Sequence, residues 1–175
     1  ITLELKNRDF NVNHKRVQRI MKELGLKSIQ RPKRRYNSYK GTIGKVADNL
    51  LKRDFKADKP NKKWATDVTE FKVNNDKLYL SPIVDLFNGE VVSYTLSRNP
   101  AFQQVVDMIE KAFKRIPDNT NLILHSDQGW QYQMKQYQYM LEQKGIRQSM
   151  SRKGNCLDNS LAENFFGILK SELYY

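Results

Sequence analysis

Between Asn13 and Gly25 the apolar residues Val17, Ile20, Met21 and Leu24 recur three and four positions apart, which predicts an amphipathic helix over residues 13–24. Asn13 suits its cap and Gly25 its stop. Val46, Leu50 and Phe55 predict another short helix over residues 45–55. The pattern then changes. Residues 64–73, 78–87 and 90–97 read as three consecutive strands rich in Val, Tyr, Phe, Leu and Thr, parted by the turn signals Asn74-Asn75-Asp76 and Asn88-Gly89. Residues 101–115 place Phe102, Val105, Val106, Ile109 and Phe113 on one side of a helix, and residues 121–126 form a short apolar strand of the kind buried on both faces. A helix at 131–144, a strand at 146–150 and a helix at 157–173 complete the chain. The order βββ-α-β-α-β-α predicts an α/β fold, a five-stranded mixed sheet flanked by helices and preceded by a small basic helical segment.

Charge divides the chain. Residues 1–60 hold 17 Lys and Arg against 6 Asp and Glu, whereas residues 61–175 hold 14 against 13, so nearly all of the net +12 lies in the N-terminal third. That asymmetry favours a nucleic-acid partner for the first segment, although a solvated helix face and a basic linker are the plainer reading. Lys15, Arg16 and Arg19 on the polar face of the first helix, with Arg34 and Arg35 in the tyrosine-interleaved run 31–40, are the candidate phosphate contacts. The polar stretch 57–63 suggests a boundary, giving a basic DNA-binding segment with its linker at 1–60 and a core at 61–175. The chain begins at Ile1 and stops after a helix, so both segments read as clipped. The single cysteine, Cys156, excludes an internal disulfide framework and fits a reducing cytoplasm. With only His14 and His125 beside it, Cys156 cannot build a Cys/His zinc site. No apolar stretch approaches the roughly 20 residues of a membrane span.

Three acids remain as candidate chemistry. Asp67 lies in the first strand, Asp127 ends the apolar strand just before Gln128-Gly129, and Glu163 stands on the last helix. Ligands in open α/β sheets collect outside the carboxyl ends of strands. If the first and fourth strands are neighbours, Asp67 and Asp127 can share a cation, with Glu163 reaching in. Carboxylates alone suit a hard cation such as Mg²⁺. Residues seven apart on a helix are rotated by only about 20°, so Glu163 and Lys170 share a face, with Asn159 one turn earlier. An ordinary solvated face is the alternative. His125 can orient a water or be a hydrogen-bonded structural residue. Trp130 can stack on a base or pack. Asp85 reads as stabilising a turn and Asp158 as favouring the last helix's N-terminal dipole. Alternation points Glu70 away from the site.

Residues 64–71 (WATDVTEF), 125–132 (HSDQGWQY) and 151–172 (SRKGNCLDNSLAENFFGILKSE) resemble the three catalytic blocks of bacterial insertion-sequence transposases with a retroviral-integrase-like core, specifically the second-frame product of the two-frame family. The 35-residue gap from Asp127 to Glu163, the lysine seven positions after the glutamate, the stretch 49–60 and the basic helix extend the resemblance over nearly the whole chain. It implies a ribonuclease-H-like fold and a catalytic, metal-binding triad of Asp67, Asp127 and Glu163. It also implies two Mg²⁺ ions per site with Mn²⁺ as substitute, and Lys170 and Asn159 on DNA. The partners implied are terminal inverted repeats and target DNA, bound by a dimer or larger assembly in the bacterial cytoplasm, associated with the nucleoid. The reaction implied is cleavage at the element's ends and transfer of the freed 3′-OH. A hydrolase for the RNA strand of a hybrid and a DNA-binding module with an inactive site are the competing readings.

Overall fold

A computed structural model describes residues 1–27 and 44–173, in two compact units, 1–37 and 38–175. The first unit holds α1 (Thr2–Asn7) and α2 (His14–Glu23). The Asn13 side chain accepts from the Lys15 N–H, as the cap reading requires, and Val17 is buried while Lys15, Arg16 and Arg19 stay exposed. Helix α1 was not foreseen. Arg34 and Arg35 lie outside the described residues.

In the second unit the strands are β1 (Lys63–Thr66), β2 (Thr69–Val73), β3 (Asp76–Asp85), β4 (Val91–Ser97), β5 (Ile123–Ser126) and β6 (Arg147–Met150), with helices α3 (Phe102–Phe113), α4 (Lys135–Lys144) and α5 (Ser160–Leu173). The sheet has six strands, not five, because the predicted strand 64–73 is interrupted. Its two halves keep one register against β3: Thr66 faces Ile83 and Thr69 faces Leu80. Continuing that register sets Pro82 opposite Asp67, where proline has no N–H to donate. The Val68 N–H turns instead to the Asp67 carboxylate, at 2.7 Å. The ladder breaks at the residue that the site uses.

Beside β1, β5 runs parallel, with Lys63 facing Ile123 and Ala65 facing His125, and β6 follows parallel to β5. One apolar core, including Trp64, Ile83, Met108, Ile109, Leu124 and Tyr137, lies beneath this sheet. Ser93 and Thr95 of β4 donate hydroxyl hydrogen bonds to the Met108 and Gln104 carbonyls of α3, which satisfies these two buried hydroxyls.

The expected helix at 45–55 is absent. Lys52 and Arg53 have φ of 47° and 68°, outside the right-handed helical region. The segment lies along the outer edge of β6: the Met150 N–H donates to the Asp48 carbonyl at 3.3 Å and the Leu50 N–H to Ser149 Oγ at 2.9 Å. Leu51, not Leu50, is its buried anchor, at 3% exposure. This arm shields an edge that would otherwise offer unpaired backbone groups. It also moves the division between compact units to 37/38, earlier than the boundary at 60 read from composition. The arm bonds to the core, so it belongs with the core unit.

Candidate active site

The register carries Asp67 and Asp127 to matching positions. Because Lys63 faces Ile123 and Ala65 faces His125, the same offset of 60 sets Asp67 beside Asp127 at the carboxyl ends of β1 and β5. Adjacent strands are about 4.8 Å apart and equivalent positions point to one face. Asp67 Oδ1 accepts from the Val68 N–H, and Oδ2 accepts from Asn159 Nδ2 at 3.3 Å. Asp127 Oδ1 accepts from the Gly129 N–H at 2.8 Å. A Cβ at Gly129 would lie 2.9 Å from that same Oδ1 and 2.7 Å from Gln131 Nε2, so any side chain there would push on the Asp127 carboxylate and the Gln131 amide. Its φ of −54° is open to any residue.

Both aspartates hold protons more tightly than ordinary carboxylates. Asp67 is pushed up to about 8, first by burial, then by the charge of Asp127, with Glu163 contributing the smallest part. Asp127 is raised by burial, against the Gly129 hydrogen bond. Beneath them lie Tyr132 and Tyr137, both fully buried and packed edge to face with ring centroids 5.4 Å apart. Burial, then the charges of Asp67 and Asp127 at Tyr132 and of Asp127 alone at Tyr137, drives both phenols above their usual range. The site is thus a crowded pair of carboxyls on a buried aromatic floor, with Asp67 holding its proton up to about pH 8 until a cation takes its place.

Glu163 stands in the first turn of α5 with its side chain exposed, and partial burial raises its proton affinity. Among the described residues no three His, Cys, Asp or Glu side chains converge closely enough to hold one ion together. The structure therefore joins Asp67 and Asp127 and keeps Glu163 near enough for its charge to act on Asp67, but short of a shared ion site. Even so, the donor set fits a hard cation. It consists of oxygen atoms, includes two adjacent carboxyls that a cation can deprotonate, and adds Asn159 Oδ1, which is buried with no hydrogen-bond partner among the described residues. Asn159 itself is 7% exposed and sits in the 3₁₀ turn Cys156–Asn159, with its amide against Asp67. Lys170 Nζ lies 5.1 Å from the Phe71 ring centroid, near the broken strand. A cavity of about 360 Å³ opens beside Asp67, bounded by Thr66, Pro82, Asn164, Phe165 and Phe166.

The other polar residues are structural. His125 Nε2 donates to the Asp158 carbonyl and Nδ1 accepts from Ser149 Oγ, the tautomer being set by those partners. Burial lowers its proton affinity. Asp85 accepts from the Phe87 and Asn61 N–H groups and from Trp64 Nε1, which fixes its turn. Glu70 binds Lys77 and Tyr79. Asp158 carries a role that sequence reading missed: its carboxylate takes up Arg152, Arg53 and Asn49. No local pattern signals it, since two of those partners are 105 and 109 residues away.

A family model described as integrase core domain matches residues 57–156, taking in Asp67 and Asp127 and ending before Glu163; one described as HTH-like domain matches residues 1–34. Over all 175 residues the chain is 56% identical to the putative transposase InsK for insertion sequence element IS150 of Escherichia coli (strain K12), and it spans 62% of that relative. It is 58% identical over 166 residues, 95% of the chain and 76% of the relative, to an uncharacterized transposase-like protein of Haemophilus influenzae. Among solved structures, the intasome of simian T-cell lymphotropic virus aligns with TM-score 0.58 and 26% identity over 79% of this chain and 46% of its own. The HTLV-2 integrase catalytic core domain in complex with magnesium aligns with TM-score 0.52 and 24% identity over 64% of this chain and 68% of its own, a likeness of fold. The sheet described above is thus the ribonuclease-H-like sheet of integrase cores.

Proposed function

This chain belongs to the integrase core domain family, and we propose on that footing that it is a DNA transposase that cuts at insertion-sequence ends and joins the freed 3′-OH to target DNA. The observation that carries the reading is the pairing of Asp67 and Asp127 at the ends of β1 and β5, with both proton affinities raised by burial and that of Asp67 raised further by the charge of Asp127. A structural role does not account for two carboxylates crowded at matching positions on a dry floor. They call for a positive charge.

Asp67 and Asp127 would hold Mg²⁺, or Mn²⁺ in its place, and Glu163 would supply the third carboxylate from α5, for two ions per site. When bound, such ions lower the pKa of the attacking water or 3′-OH and stabilise the leaving oxygen. The chain's own groups do the rest. Val68 and Asn159 orient Asp67, Gly129 orients Asp127, and Tyr132 and Tyr137 exclude water from below. In the first step water attacks the phosphodiester at the element's end and the 3′ oxygen leaves as a hydroxyl. In the second, that 3′-OH attacks a target phosphodiester and another 3′-OH departs. No side chain forms a covalent intermediate.

Lys170 would contact end DNA, and Lys15, Arg16 and Arg19 on the exposed face of α2 would meet phosphates. Arg34 and Arg35 extend that basic track in sequence. Paired ends call for a dimer or larger assembly on DNA. No helix among the described residues is long and apolar enough to cross a membrane. A transposase acting on bacterial DNA would work in the cytoplasm, on the nucleoid.

The test is to incubate the protein with labelled terminal-repeat DNA and Mg²⁺ or Mn²⁺, alongside Asp67→Asn and Glu163→Gln. Metal-dependent nicking that disappears in both variants supports the reading. Nicking that continues at full rate in both removes the triad.

A further inference from the structure

Asp158 lies one residue before Asn159 and five before Glu163, and its side chain has no exposed surface. Its oxygens accept from the Arg152 backbone N–H at 3.1 Å, from Arg152 Nε and Nη2 at 2.8 and 3.0 Å, from Arg53 Nε at 3.1 Å and from Asn49 Nδ2 at 2.9 Å. The Arg152 guanidinium, ahead of Arg53, holds this carboxyl well below the usual carboxylate range. Its backbone carbonyl accepts from His125 Nε2 at 2.9 Å; His125 in turn is bonded to Ser149, whose oxygen accepts the Leu50 N–H. The turn before α5 is therefore tied to β5, to β6 and to the arm that carries Asn49 and Arg53.

We propose that Asp158 is a positioning residue for the metal site: clasped by Arg152, Arg53 and Asn49, it fixes the turn from which Asn159 reaches Asp67 and from which α5 presents Glu163. The inference rests on the reading that these carboxylates bind a divalent cation. Stability alone is a weak reason for such a cluster, because a buried ion pair seldom outperforms apolar packing of similar volume. Geometry is the better reason. The donors come from segments 6, 105 and 109 residues away and leave the turn little freedom to rotate. The residues that it delivers are those that must meet a cation within tenths of an ångström.

The test measures Mn²⁺ affinity of the whole chain, from the electron paramagnetic resonance signal of free Mn²⁺, together with the thermal midpoint of each variant. Asp158→Asn is expected to weaken Mn²⁺ binding about tenfold or more, the usual cost of losing an orienting partner. Arg152→Ala, which leaves Arg53 and Asn49 in place, gives a smaller loss and serves as the deciding variant if Asp158→Asn does not fold. In an Asn159→Ala background either change has a clearly smaller effect, because the part that runs through Asn159 is already gone and only the part through α5 and Glu163 remains. A general structural defect would instead add its full effect there and track the thermal midpoint; that pattern, or unchanged Mn²⁺ affinity in folded variants, overturns the proposal. Asp67→Asn separates the two levels. If it abolishes binding while the Asp158 and Arg152 variants leave it intact, only the positioning role falls. If it too leaves binding intact, the metal reading fails and takes this proposal with it.

Discussion

Replacing Asp67 with Asn should stabilise the metal-free protein while abolishing its response to metal. The ordinary value for this carboxyl is 3.8 and the folded value is about 8, so folding takes up a proton throughout the interval between them. The raised value means that the favourable contribution is complete below about pH 4, and it is lost as pH rises through the folded value near 8. At pH 7 the penalty reaches about 4 kcal/mol at roughly 1.4 kcal/mol per unit. Asp67 is only half-buried, and solvent screening brings the expected gain down to about 2 kcal/mol. Asparagine can keep the Val68 hydrogen bond and, with Asn159 rotated, donate to the Asn159 oxygen that now lacks a partner. Urea unfolding with chelator present, at pH 5 and pH 8, reads the effect: the variant should gain over wild type at pH 8 and much less at pH 5. Mn²⁺ at 100 times its Kd should then stabilise wild type by about 2.7 kcal/mol and the variant by almost nothing. A variant less stable than wild type at pH 8, or one with the same pH dependence, would refute the crowding argument.

Other outcomes follow from the same geometry. Because cation binding must displace the Asp67 proton, Mn²⁺ affinity should climb steadily from pH 6 and level off near 8, and a calorimetric titration flat across that interval would contradict the shift. Gly129→Ala should push the Asp127 carboxylate off its backbone donor and weaken Mn²⁺ binding about tenfold or more while the fold survives, as circular dichroism would report. Lys170→Ala should lower the slope of log affinity against log salt for end DNA by about 1, read by fluorescence anisotropy, and an unchanged slope would exclude a phosphate contact.

The site was legible in the chain to the extent that its chemistry follows strand ends. An apolar run closing on Asp127 and a glycine two residues later announce a carboxylate at a sheet's carboxyl edge with a tight turn behind it, and the structure delivers both. The break at Asp67 was not legible from its own strand, since its cause is Pro82, fifteen residues away on the partner strand. Val46, Leu50 and Phe55 imitate a helical stripe, but the arm's donors find the β6 edge and the left-handed Lys52 and Arg53 forbid the helix. Asp158 looked like a helix-terminus charge because only long-range partners reveal its clasp. Helical spacing puts Asn159 one turn before Glu163 on the last helix, whereas it closes the preceding 3₁₀ turn and bonds Asp67 from there. In each case a tertiary partner, absent from any local window, decided the outcome.

The most direct test of the account is the position of Mn²⁺ in crystals of the protein, located by its anomalous scattering. The expected result is a peak shared by the Asp67 and Asp127 carboxylates on the side facing Asn159. A peak bound elsewhere, or none at a Mn²⁺ concentration that saturates binding in solution, would contradict it.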